Sequence, residues 1–164
     1  VPADLPEIGT RWFLDTGILC VDPAAHRLGL SNAVGSFALA ATPHPAPQDF
    51  SALYFATPVT LRAAFHFGKS RWPGTTIEAV AAALANPTSC QRAVGAALAE
   101  RIGADGFDDD HWVVRGGGSL GESVAEPTDL EPDYAALFSH VDSSRGDTLL
   151  GVFWWDDPPA AWWQ

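Results

Sequence analysis

Over 164 residues the chain carries twenty acids against nine bases, a formal net charge of −11 that sets it against nucleic acid and anionic membrane surfaces. Hydrophobic residues make up 47% and charged residues 18%, a balance that excludes a disordered chain and suits one domain over 1–164. No apolar run reaches the roughly 18 residues of a spanning helix. The opening VPADLPEIG has neither the basic n-region nor the apolar h-region of a secretory signal, so a cytoplasmic location is expected.

In chain order, RWFLDTGILCVD (11–22) reads as two short strands around Thr16-Gly17. The apolar, small-residue run from Leu28 to Ala41 reads as a strand with Gly35 as a bulge or bend. TPHPAPQD (42–49) is proline-rich and makes an extended surface loop. FSALYFATPVTLRAAFHF (50–67) gives two strands parted at Thr57-Pro58. In the second, Val59, Leu61, Ala63, Phe65 and Phe67 share one face. GKSRWPG (68–74) is a loop holding two bases, Lys69 and Arg71.

Helix signals follow. Thr75 to Glu78 has the form of a capping box, in which hydroxyl and carboxylate each satisfy an exposed end amide. AVAAALA continues it, and Asn86-Pro87 stops it. Thr88 or Ser89 caps a second helix that runs to Ile102, with Gly103 as its stop and Val94, Leu98 and Ile102 facing inward. The two form a hairpin over about residues 75–102. His111 to Arg115 is then a strand between an acidic turn and a glycine loop, and 119–133 is a proline-punctuated acidic loop. YAALFSHV (134–141) fits a short helix or a strand, and DTLLGVFWW (147–155) is a strand entered from the SSRGD turn. The expected fold is therefore α+β: an antiparallel or mixed sheet packed against a two-helix hairpin.

The charge is uneven. Residues 1–99 hold six acids and six bases, whereas residues 100–164 hold fourteen acids and three bases. Asp108, Asp109, Asp110 and His111 form the densest acidic cluster, but neighbouring residues on a strand point to opposite faces and converge poorly on one metal ion. Asp108, Asp110 and His111 are the only metal-ligand candidates this cluster offers, and no spaced calcium-loop pattern accompanies them. Gly117 to Gly121 matches the letters G-x-S-x-G around Ser119, with a strand before it but a poor helix after it. Glycines 116–118 lack the lysine of a phosphate loop. Cys20 and Cys90 are too few for a disulfide framework and read as small packed hydrophobes.

The chain ends GVFWWDDPPAAWWQ, with Trp154, Trp155, Trp162 and Trp163 flanking Asp156 and Asp157. One reading has the tail fold back as a plug of buried aromatics. The functional reading is a contact face: indole rings attract guanidinium groups and the acids neutralise them. With Asp108, Asp109, Asp110 and Trp112, these residues make an expected binding face for a basic protein partner, as in a toxin-immunity protein or enzyme inhibitor, with no cofactor. An alternative is a small-ligand or carbohydrate-binding module that uses tryptophan faces. A second alternative is a small hydrolase with Ser119 as nucleophile and His140 as base, or with a metal near Asp108 to His111. Catalysis is not the expected activity.

Overall fold

The computed structural model describes residues 2–15, 33, 34, 37, 49–55, 61, 86–116, 136–154 and 156–164. Its strands are β1 (Pro2–Leu5), β2 (Gly9–Asp15), β3 (Phe50–Phe55), β4 (Gly106–Asp108), β5 (Val113–Arg115) and β6 (Thr148–Trp154). They form one six-stranded sheet in the order β1-β2-β3-β6-β5-β4. The β2–β3 pair is parallel and every other pair antiparallel, so the sheet is mixed.

A single helix of seven or more residues, α1 (Ser89–Arg101), packs against this sheet among the described residues. It touches both β1 and β4, the two edge strands. Six strands laid flat would hold those edges about 24 Å apart, twice a helix diameter of about 10–12 Å. Contact with both edges therefore requires a curled, half-barrel sheet with α1 in its concavity.

This architecture corrects the expected two-helix hairpin. The flank of α1 is covered by the C-terminal segment instead. A 3-10 turn, Ala160–Trp163, packs on α1, and the Thr88 and Ser89 hydroxyls donate to the carbonyls of Trp162 and Gln164 at 2.9 and 3.0 Å. The hairpin's first helix, expected over 75–85, lies outside the described residues. So do most of the strands expected over 28–41 and 59–67. Of these, Ala33, Val34, Phe37 and Leu61 are helical in conformation, because an apolar run without clear period fits either state.

Local chemistry explains the elements that matter for the site. Thr88 caps α1 in a full capping box with Gln91, and Gly103 takes φ 71° just past its end. Cys90, Val94, Leu98 and Ala99 face the sheet. At Gly95 a Cβ would overlap the Phe107 ring of β4, so glycine lets helix and strand meet. Every residue of β6 is buried, as befits a central strand covered on both faces. β1 alternates exposed and buried residues on the sheet edge, where Pro2 is tolerated. Asp49 ties β2 to β3: its carboxylate accepts from the Trp12 amide, its own amide donates to the Trp12 carbonyl, and it lies 3.7 Å from Arg11.

Candidate functional site: an aromatic arc and a charged corner

Six rings run across the helix side of the sheet. Phe13 stacks on Phe50 at 5.2 Å, and Phe50 lies opposite Trp154 with ring centroids 4.9 Å apart. Trp154 meets Trp162 at 5.3 Å, Trp162 meets Trp112 at 6.0 Å, and Trp112 meets Phe107 at 6.3 Å, all tilted edge to face. Such geometries place positive ring edges against negative ring faces. α1 closes over this arc: the Arg101 guanidinium sits 5.4 Å from the Phe13 centroid at one end, and Gly95 meets Phe107 at the other.

Trp112 stands out within the arc. It has φ 57°, a left-handed conformation that costs a bulky residue strain, and it is fully buried. Its carbonyl accepts from Leu150 of β6 at 2.9 Å, which holds the strained residue in place. The indole N–H groups of Trp112 and Trp154 are buried and have no hydrogen-bond partner among the described residues. Both rings pack on Trp162.

One residue before Trp112 the surface is polar. The His111 ring Nδ1 lies 3.0 Å from Asp108, and its ring stacks on His140 at 3.5 Å with 22° between planes. Arg115 donates to Asp108 at 2.6 Å, to Asp147 at 2.7 Å and to the His140 carbonyl at 2.9 Å. Asp147, 1% exposed, also accepts from the backbone amides of Gly116 and Asp142. Burial pushes the Asp147 carboxyl up, but Arg115 and these amides outweigh it and hold it below the usual aspartate range. Asp108 shows the same balance: burial raises it, and His111 and Arg115 bring it below the usual value. The Arg115 guanidinium is raised in turn, chiefly by Asp147.

The acids expected to act together are thus divided. Asp108 belongs to the Arg115 network, whereas Asp109 and Asp110 lie against Arg92 of α1. Among the described residues no group of three or more His, Cys, Asp or Glu is placed to hold a metal ion. Of the indoles expected on a binding face, Trp112, Trp154 and Trp162 are interior, and only Trp163 is half-exposed, at 48%. Asp156 and Asp157 are exposed. Trp155 and Ser119 lie outside the described residues. His140 does join a cluster, though as the stacking partner of His111.

Arg115 and Asp147 escaped sequence reasoning because 32 residues separate them and no local pattern marks the pair. Cys90 is a free, buried thiol, raised first by burial and then by Glu7; Cys20 lies outside the described residues. Among the described residues no helix is long and apolar enough to cross a membrane. The chain matches no family model, no curated protein and no solved structure, so its site is read from its own geometry.

Proposed function

We propose that the domain binds a small neutral ligand, a carbohydrate foremost, at the indole cluster of Trp112, Trp154 and Trp162. The observation that carries this reading is the pair of buried indole N–H groups without acceptors among the described residues, on two rings that pack against one third ring. A buried unmet donor costs about 1–3 kcal/mol, which an acceptor-bearing ligand relieves. Sugars combine hydroxyl acceptors with C–H faces that lie flat on indole rings. A net charge of −11 disfavours anionic ligands and leaves neutral ones unpenalised.

Half-exposed Trp163 follows Trp162 in the C-terminal turn, whose carbonyls at Trp162 and Gln164 accept from the Thr88 and Ser89 hydroxyls. The Trp112 strain fits a site that positions a side chain at some cost to stability. A cytoplasmic location, with Cys90 kept as a thiol, is part of the same proposal.

The test titrates neutral mono- and disaccharides against the intact chain and follows tryptophan fluorescence. A saturable change is expected, and Trp154→Phe, which keeps a ring and deletes the N–H, weakens it about five- to tenfold. That variant leaves a cavity beside Phe50 and Trp162, so its folding stability falls by about 1–3 kcal/mol, a loss that removal of the unmet donor partly offsets. Absence of any saturable response across the panel refutes the reading. Salt-sensitive binding of a basic protein in its place returns the function to the Asp156, Asp157 and Trp163 face.

A further inference from the structure

The charged corner has a property independent of what the indole arc binds. Asp108, His111, His140 and Arg115 form a closed circuit: Asp108 to the His111 ring, that ring on His140, the His140 carbonyl to Arg115, and Arg115 back to Asp108. The circuit joins two parts of the chain distant in sequence. One is the turn from Asp108 to Trp112; the other is the segment from Ala136 to Asp142 that leads into β6. Both rings lie on the surface, within reach of solvent protons.

We propose that the His111–His140 stack is a proton-operated latch that holds the 136–142 segment on the Asp108–Trp112 turn and releases it when both rings are charged. A charge on the His111 ring has a partner, because its Nδ1 lies 3.0 Å from Asp108. A second proton places two cations face to face at 3.5 Å. Among the described residues the neighbouring acids are already engaged. Asp108 is shared with Arg115, Asp147 is consumed by Arg115 and two backbone amides, and Asp109 and Asp110 face Arg92. Asp142 turns to the Ser144 amide and hydroxyl.

Histidine is the side chain whose charge ordinarily changes between about pH 5 and 8. Asp108 and Asp147, both held below the usual aspartate range, stay ionised through that window. Release reaches further than the segment, since Trp112 follows His111 directly and sits in the aromatic arc.

Backbone hydrogen exchange read by mass spectrometry tests the latch in the intact chain. Peptides covering 136–145 are compared at about pH 7.5 and about pH 5.2, after correction for the chemical pH dependence of exchange. The expected result is opening about tenfold more frequent at the lower pH, from like-charge repulsion at stacking distance. Peptides from β6 stay protected. His111→Gln and His140→Gln, both surface changes, each abolish the difference. A flat wild-type response overturns the latch, as does a difference that persists in the double variant. Proton NMR of the two imidazoles adds a readout that needs no variant: coupled two-step titration is expected, and two independent single-step curves overturn it.

Discussion

The aromatic arc and the charged corner share a boundary one peptide wide, between His111 and Trp112, yet they are held by opposite physics. The arc is stabilised by removing rings from water, which is insensitive to salt and to protons. The corner is stabilised by directed charge-assisted hydrogen bonds around Arg115, whose strength depends on which groups are ionised. In this molecule the inward face therefore sets how stable the domain is, and the outward face sets how that stability responds to conditions.

The largest break in that comparison is Trp162→Ala. It empties the middle of the arc and cuts stability by about 3–5 kcal/mol in urea denaturation, with little pH dependence in the loss. A loss under about 1 kcal/mol would mean that the tail is a surface ornament, not a core element.

Next comes Asp147→Asn, expected to cost about 2–4 kcal/mol near neutral pH, since Arg115 and two backbone amides lose their buried anion. This loss is strongly pH-dependent. Asp147 and Asp108 have folded-state values below their unfolded ones. Their stabilisation is therefore fully present above the unfolded aspartate range of about 3.9 and disappears as pH falls through the lower folded values. Wild-type stability should fall steeply on that acid limb, and Asp147→Asn should flatten it. Equal slopes for both chains would place the acid sensitivity elsewhere.

Gly95→Ala follows, at about 1–3 kcal/mol, because its Cβ meets the Phe107 ring and α1 must lift from β4. A thermal melt reads this directly, and an unchanged midpoint would show that Phe107 swings aside freely. Smallest of all is Arg92→Ala. Its pairs with Asp109 and Asp110 lie on the surface, where ion pairs contribute little and salt screens them. Its denaturation midpoint should match the wild type within error, and a clear shift would mean that the acidic turn depends on α1 for its shape.

The elements that could be read from the chain are those whose signal is local. α1 shows its Thr88 cap, its four-residue apolar spacing and its Gly103 stop within one short window. β6 is long and almost wholly apolar, and β2 and β3 carry aromatic and leucine side chains. β1 and β4 were missed because strands of four and three residues hold too little pattern, and Pro2 and the acidic turn argue against them. The site was legible only in its parts. The tail's fold-back as a plug of buried aromatics was one of two readings, and Trp154 and Trp162 are buried, but the rings they meet could not be read. His140 was noticed as a candidate base and its stacking partner His111 as a candidate ligand; nothing in the sequence pairs them across 29 positions.

By itself, then, the amino-acid sequence determined the last strand, the capped helix and the acidic balance, all consequences of residue chemistry over a few neighbours. Tertiary structure alone decided that, among the described residues, α1 fills a curled sheet, which rings the tail's indole meets, and that Arg115 gathers Asp108, Asp147 and His140. The reason is range. Periodicity and capping act over a turn or two, whereas ring packing and buried charge pairing depend on which distant segments the folded chain brings within about 4 Å.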